Sequence, residues 1–347
     1  MKKILSVIII LTIIASSVMI NAFADEDTSA DIYINREYGY QYESFTTDDG
    51  RIVSSYTKSN NSLNSSTSTY GLRGRSASST EYAKSVLSDL GVEEDTIELM
   101  SDERLNEYAS AESITVVVSY TKTDENGNVT VVDESTAREA ASTYAMVLPD
   151  ILDGYPIYQN TYEDTYMKLS LIVTERGDGY FHHAVDAQWL TMPTVRAYDD
   201  LLGISVMENA IQNNTRSGWC RYNLAEESNS STYTTHTEEF DDDSFVNVSS
   251  GNWVGSAVKF QIHQDKSNKI YTDYQIHYEF ETRVIHYTLA TAFNVKATYE
   301  HPTFTLKINP SVNISSLGVV SFDLGLEILS STEIRILELP TLIDYTP

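Results

Sequence analysis

Met167–Thr174 reads MKLSLIVT and Tyr180–Leu190 reads YFHHAVDAQWL, and the turn sequence Gly177-Asp178-Gly179 separates the two runs. Glycine readily adopts the positive φ values that tight turns need, so the pattern predicts an antiparallel β-hairpin. Because successive side chains of a strand point to opposite faces, His183 belongs to the inward face and His182 to the polar face. Adjacent histidines that point apart are a poor pair of metal ligands. The inward face also holds Phe181, Val185, Ala187 and Trp189, and the polar face also holds Asp186 and Gln188.

Apolar and polar residues also alternate elsewhere in the chain. Ile114–Tyr120 and Val129–Val132 flank an Asn126-Gly127 turn, which predicts a second hairpin. Such half-buried antiparallel strands predict a fold of the α+β class that is mostly β. The expected architecture is an antiparallel β-sandwich or meander of about seven to ten strands. Further strands are predicted at Val254–His263, Tyr271–Glu281, Val284–Tyr299, Thr303–Ile308, Ser321–Ile328 and Glu333–Leu339.

A small helical segment over residues 80–112 is predicted to precede the β-rich domain of residues 113–347. Ser78 and Glu81 form a capping box that starts a helix, and Gly91 ends it. Shorter helices are predicted at Glu93–Met100 and Asp102–Ser110. We expect the segment to cap the main domain, and a separate docking module is the alternative. An Ala-rich helix is predicted within the β-rich domain from about Ser135 to Val147.

The N-terminus has the pattern of a secretory signal peptide over residues 1–24. Lys2-Lys3 are followed by an apolar run and by Ala22-Phe23-Ala24, which predicts cleavage between Ala24 and Asp25. Residues 25–79 combine a Tyr-rich hairpin candidate, with its turn at Asp48-Asp49-Gly50, and a linker rich in Ser, Asn and Thr. We therefore expect a secreted, extracellular protein with no stable membrane insertion after cleavage.

Charge and cysteine content restrict the partners of the mature chain. Residues 1–24 contain Lys2 and Lys3 and no acidic residue, so the mature chain has 21 basic and 50 acidic residues, a net charge of about −29. Such a charge disfavours nucleic acid, whose binding depends on clustered Lys and Arg. Cys220 is the single cysteine, so the chain holds no disulfide partner for it. A large exported protein without disulfides suggests a Gram-positive bacterium.

Four short stretches carry a resemblance to other proteins. They are LSDLGV at Leu87–Val92, the run that starts at Asp133, WLTMP at Trp189–Pro193, and Ser217-Gly218-Trp219. From Ser78 to the C-terminus the chain resembles functionally uncharacterised secreted proteins of Gram-positive anaerobic bacteria. These proteins join a short helical segment to a Tyr-rich β region, and the resemblance implies no activity.

Aromatic residues are the first candidates for a ligand site. The chain has 24 Tyr, and Tyr271, Tyr274 and Tyr278 lie close together in one predicted strand, with Trp253 in the strand before it. Exposed rings of this kind can stack on sugars or anchor a protein partner. Tyr is also a common strand residue, so the sequence favours packing between strands, with a ligand platform as the alternative.

Acidic residues and the cysteine are the other candidates. Glu239, Asp241 and Asp243 belong to a run of carboxylates that suits a hard cation such as Ca²⁺, although a solvated loop explains the run equally well. The sequence otherwise indicates no cofactor. Cys220 could be a nucleophile, but a buried thiol is the more common case.

The sequence therefore predicts an exported protein whose activity no motif fixes. The leading hypothesis is a non-enzymatic β-sandwich that binds an extracellular glycan or a protein surface. The first alternative is a secreted hydrolase that uses paired carboxylates brought together by folding. The second alternative is a pore-forming protein, because alternating strands rich in Ser and Thr can line a membrane channel.

Overall fold

The structure is a computed structural model that describes residues 31–344 with several gaps. The gaps are residues 36–39, 59–78, 125–127, 146–149, 153–154, 158–163, 194–195, 197–198, 208, 213–214, 227–232, 266–268, 285–291, 303–310 and 324–333. The predicted signal peptide, the predicted linker and the predicted strand at Thr303–Ile308 lie outside the described residues, as does 324–328 of the strand predicted at Ser321–Ile328. Within the described residues, no helix is long and apolar enough to cross a membrane.

The described chain contains four α-helices and twenty β-strands, mostly β as predicted. The helices are α1 (Ser79–Asp89), α2 (Glu94–Leu99), α3 (Asp102–Ser110) and α4 (Glu134–Ala145). The strands are β1 (Asp31–Asn35), β2 (Tyr40–Thr46), β3 (Ile52–Lys58), β4 (Ser113–Thr123), β5 (Val129–Val132), β6 (Asp150–Leu152), β7 (Tyr155–Ile157), β8 (Thr165–Gly177), β9 (Tyr180–Trp189), β10 (Asp199–Met207), β11 (Asn209–Ile211), β12 (Ser217–Glu226), β13 (Tyr233–Glu239), β14 (Phe245–Ser250), β15 (Trp253–Gln261), β16 (Lys269–Val284), β17 (Ala292–Pro302), β18 (Ser311–Ile314), β19 (Val320–Asp323) and β20 (Ile334–Asp344).

Two antiparallel sheets face each other across the main core. The larger has eleven strands in the order β1-β2-β3-β4-β8-β9-β16-β12-β13, with β5 beside β4 and β11 beside β16. The smaller has the order β14-β15-β10-β17-β20. Phe181 of β9 meets Phe293 of β17 edge to face, with ring centroids 4.8 Å apart, and both rings are buried. The sheets therefore form a sandwich, and the side chains on the inward faces of their strands make its core.

Helices α1, α2 and α3 cover the other face of the large sheet. Leu87 and Leu105 are buried in one cluster with Val116 of β4 and Ala184 of β9. Gly91 ends the first helix at a φ of +89°, where an L side chain would be strained, as its sequence position predicts. The helical segment therefore caps the sheet and shares its core.

The hairpin predicted from Met167–Thr174 and Tyr180–Leu190 is confirmed. Strands β8 and β9 pair from Met167 opposite Trp189 to Gly177 opposite Tyr180, and Asp178 in the turn has a φ of +54°. The second predicted hairpin is also present, as β4 and β5. Strands β2 and β3 form the Tyr-rich hairpin around Gly50, and β3 pairs with β4. Residues on both sides of the helical segment thus belong to one sheet.

Candidate functional site

A row of polar and aromatic side chains crosses the helix-covered face of the large sheet. Glu239 of β13 lies opposite Trp219 of β12, Trp219 opposite His277 of β16, and His277 opposite Asp186 of β9. Residues paired in this way share one face of a sheet, so four strands present a continuous line of functional groups. Glu279 lies two residues after His277 on the same face, opposite Ser217.

The helices make direct polar contacts with this row. Arg104 of α3 donates from Nη2 to Glu279 Oε1 at 2.9 Å, and Thr96 of α2 donates from Oγ1 to Asp186 at 3.3 Å. The Ser101 hydroxyl accepts a hydrogen bond from the Arg104 backbone N–H at 3.1 Å, which caps α3 and fixes where Arg104 leaves the helix. Short helices thus hold the charged groups against the strands.

His182 corrects one expectation from the sequence. It points to the predicted face, but the helices cover that face, so only 1% of the residue is exposed. Burial outweighs the attraction of Glu279 and lowers the pKa of His182, so the ring is neutral at pH 7. Its Nε2 lies 2.9 Å from Glu279 Oε2, and the Tyr108 hydroxyl lies 3.4 Å from its Nδ1. In the neutral form, Nε2–H therefore donates to the carboxylate and Nδ1 accepts from Tyr108.

His277 has the opposite charge state. Burial favours the neutral ring, but the charge and hydrogen bond of Asp186, with Glu279, outweigh burial and raise the pKa of His277 to about 10. Its Nδ1 lies 2.9 Å from Asp186 Oδ1 and its Nε2 lies 3.4 Å from Glu279 Oε2. Both N–H groups of the imidazolium thus have a carboxylate acceptor.

Glu279 is the most heavily bonded group in the row. It accepts hydrogen bonds from Arg104, Ser217, His182 and His277. Burial would raise the pKa of Glu279, but the hydrogen bonds from His182 and His277 and the positive charge of the His277 imidazolium hold it well below its usual range. The carboxylate is therefore a fixed anion in the wall of the site.

An open cleft of about 580 Å³ lies between the helices and this end of the sheet. That volume is within the range of about 300–1,000 Å³ that small-molecule sites have. The helical segment contributes Thr96, Met100, Ser101, Glu103, Arg104 and Glu107 to the cleft. The large sheet and the segment just before β12 contribute Thr215, Arg216, Ser217, Trp219, Glu239, His277, Glu279 and Glu281. The connection after β13 and the start of β14 contribute Phe240, Asp242 and Phe245.

Trp219 is the aromatic centre of the cleft. Its ring stacks on the His277 ring with centroids 5.2 Å apart and an interplanar angle of 16°. Trp219 is half-buried, whereas His277 beneath it is buried. A cation against the face of an indole is a favourable arrangement, so the imidazolium and the two carboxylates hold the Trp219 ring in a defined orientation.

The four aromatic residues that the sequence offers as a ligand platform are buried, so they form no exposed platform and pack between strands instead. Tyr274 and Tyr278 are fully buried, and 6% of Tyr271 and 8% of Trp253 is exposed. Tyr274 stacks on Tyr222 at 5.1 Å and Tyr278 on Phe245 at 5.6 Å, because these strands bury their tyrosines in the sandwich core. Tyr271 lines a separate cavity of about 310 Å³ with Gln261, His263 and Gln264.

The predicted calcium ligands are also not assembled into a site. Glu239, Asp241 and Asp243 are exposed, and only Glu239 lines the cleft. Among the described residues, no group of three or more His, Cys, Asp or Glu side chains is placed to hold a metal ion. Asp242 and Asp243 instead lie in a short 3₁₀ turn that carries the chain from β13 to β14.

Cys220 follows Trp219 on β12 and points to the opposite face. The thiol is buried in the sandwich core, and burial, with the nearby charge of Glu238, raises its pKa well above the usual value. The thiol is therefore a packing group and not an activated nucleophile.

Known proteins give no further guide to the site. No protein-family model matches the chain, and comparison with curated proteins finds no significant match. The resemblance to secreted proteins of Gram-positive anaerobes thus stays a prediction.

Proposed function

We propose that the protein is a non-enzymatic, extracellular glycan-binding protein that takes its ligand in the cleft beside Trp219. The observation that carries this proposal is the half-buried indole, which lies in the cleft wall and stacks on the buried His277. A flat ring fixed in this way offers an apolar surface to the face of a sugar ring. The proposed extracellular location rests on the sequence of residues 1–24.

The polar lining of the cleft supports a hydroxyl-rich ligand. Ser217 and Thr215 contribute hydroxyl groups, and Glu103 and Glu239 contribute carboxylate acceptors. Binding sites combine apolar contact area with a few placed polar groups that orient the ligand. A glycan satisfies both parts, since a sugar has an apolar face and a rim of hydroxyl groups.

The charge states of the buried groups favour binding over hydrolysis. A general acid or base works best when its pKa lies near the working pH. The pKa of His277 is raised to about 10 and that of Glu279 is held well below its usual range, so both stay charged at pH 7. Ser217 donates to Glu279 and not to an imidazole, so it lacks the histidine base of a nucleophilic serine.

The pore-forming alternative receives no support from the described strands. Strands β8, β9 and β16 are buried along most of their length, under the helices on one face and the small sheet on the other. A hairpin that inserts into a membrane would have to leave both layers.

The proposal is tested by probing a glycan array with the protein that begins at Asp25, with and without calcium. Each hit is then measured by titration calorimetry with the wild type and with Trp219→Ala and Trp219→Phe. We expect Trp219→Ala to weaken binding at least tenfold, and Trp219→Phe to recover part of the loss because it keeps a ring.

Tyr233→Ala is the matched control. It removes an aromatic ring from the other end of β13, where Tyr233 is 59% exposed and does not line the cleft. This variant should bind like the wild type, and all variants should show cooperative thermal unfolding. An array without hits, or hits that Trp219→Ala leaves unchanged, would overturn the proposal.

A further inference from the structure

The charges that line the cleft do not balance. Six carboxylates line the cleft with two guanidinium groups and the His277 imidazolium, and Arg176 pairs with Glu107 and Glu281 from outside the lining, which leaves an excess of two negative charges. A cleft lined mainly by one sign of charge focuses the electrostatic field and raises the local concentration of ions of the opposite charge. The carboxylates are Glu103, Glu107, Glu239, Asp242, Glu279 and Glu281.

The positive groups of the cleft are already engaged by the protein. Arg104 contacts Glu279 at 2.9 Å and Glu281 at 3.7 Å, and it also pairs with Glu107. His277 directs both ring nitrogens at carboxylates. Arg216 lies over the Phe245 ring at 5.6 Å and donates to Asn247 at 3.3 Å. These contacts leave the cleft few donors for an anionic ligand.

Three exposed carboxylates of the cleft lining lack such partners. Glu103 is on α3, Glu239 ends β13, and Asp242 lies in the 3₁₀ turn, and all three are exposed. Within the described part of the chain, none of them has a cation within 4 Å. They belong to separate elements around the half-buried Trp219, and all line the cleft.

We propose that the cleft selects a glycan whose sugars carry free, protonated amino groups. The inference rests on the proposed glycan-binding function and specifies its ligand. The indole contacts the face of the sugar, and the unpaired carboxylates accept hydrogen bonds from the ammonium groups of the sugar. These hydrogen bonds are stronger than neutral ones because donor and acceptor carry opposite charges. A uronic acid would meet like charge, and an N-acetylated sugar would leave the carboxylates without a counter-charge.

The test compares two probes that differ in one group. Oligomers of β-1,4-linked glucosamine and N-acetylated oligomers of the same length are titrated into the protein at slightly acid pH, where the free amine is protonated. We expect the amino form to bind at least tenfold more tightly at low salt, and the difference to shrink as salt is added. Equal affinity, or tighter binding of the acetylated form, would overturn this inference and leave the proposed glycan-binding function standing.

Charge variants separate the cleft from the overall acidity of the protein. The triple variant Glu103→Gln, Glu239→Gln, Asp242→Asn should lose the preference for the amino form and keep its affinity for the acetylated form. The control triple variant Glu98→Gln, Asp241→Asn, Asp243→Asn makes the same charge change at exposed positions of α2 and the 3₁₀ turn region outside the cleft. It should keep the wild-type preference.

A basic peptide is the remaining outcome to distinguish. Oligolysine titrated under the same conditions should bind more weakly than the amino sugar and should not respond to Trp219→Ala. Tight binding of oligolysine without binding of either sugar would overturn both this inference and the proposed function. If the variant Glu103→Gln, Glu239→Gln, Asp242→Asn kept the preference for the amino form, or if the control triple variant lost it equally, this inference alone would be overturned.

Discussion

The Asp186 carboxylate lies 2.9 Å from Nδ1 of His277, on the neighbouring strand, and both residues are buried. His277 reaches Glu279 with its other nitrogen, so one imidazolium joins two buried carboxylates. Removing one partner of a buried ion pair leaves the other charge uncompensated, which is more costly than losing an exposed pair.

Asp186→Asn should therefore destabilise the fold strongly. The amide keeps the shape of the side chain but removes the charge that keeps His277 protonated. We expect a loss of about 3–5 kcal/mol in the free energy of unfolding, measured by urea denaturation. Asp178→Asn makes the same change at the exposed turn of the same hairpin and should alter stability by no more than about 0.5 kcal/mol. Equal losses in the two variants would contradict the ion-pair interpretation.

Alkaline pH should destabilise the protein through His277. Its pKa in the folded state is raised to about 10, above the ordinary histidine value of 6.5. A group with a raised pKa stabilises the fold fully below its unfolded value, and the contribution is lost as pH rises from about 6.5 through about 10. The free energy of unfolding should decline across that window when it is measured at a series of pH values.

His277→Gln should be less stable at pH 6.5 and have a flatter profile up to pH 10, because the titrating group is gone. His236→Gln removes an exposed histidine of β13 and should keep the wild-type slope. A wild-type profile that rises or stays level across the window would show that His277 is not protonated in the fold.

Much of the fold was predictable because strand periodicity is a local property. The β8–β9 hairpin, its turn at Asp178, and the helix that Gly91 ends all follow from residues close together in the chain. The alternation of side chains along the strand also placed His182 on the correct face of the sheet. It did not show that α2 and α3 cover this face, because the packing of a second layer depends on distant residues.

The site was not predictable for the same reason. Trp219, His277 and Asp186 are far apart in sequence and meet only through the register of β12, β16 and β9. The one local signal was His277-x-Glu279 in a predicted strand, which places both side chains on one face. The high number of tyrosines made them candidates for a ligand site. A Tyr-rich strand is equally suited to a buried core, however, and Tyr274 and Tyr278 lie in such a core.

Cys220 should be unreactive in the native protein. Its thiol is buried, and its raised pKa leaves little thiolate at pH 8. A colorimetric thiol reagent should label less than a tenth of the protein in the time that fully labels it in denaturant. Rapid labelling without denaturant would show that the sandwich core opens around β12.

Gly318→Ala should be strongly destabilising, because two independent constraints act on this residue. Its φ of +81° is unfavourable for an L side chain, and an added Cβ would lie 2.6 Å from three ring atoms of Trp253. That ring is buried beneath the β18–β19 hairpin with Val312 and Val320, so it cannot move aside without opening the cluster. We expect a loss of about 2–4 kcal/mol in the free energy of unfolding.

Gly251→Ala is the control, since Gly251 has a φ of +61° but no atom within 4 Å of the added Cβ. This substitution should lower the free energy of unfolding by only about 1 kcal/mol. Equal effects of the two substitutions would mean that backbone strain alone limits position 318 and that the hairpin is not packed against Trp253.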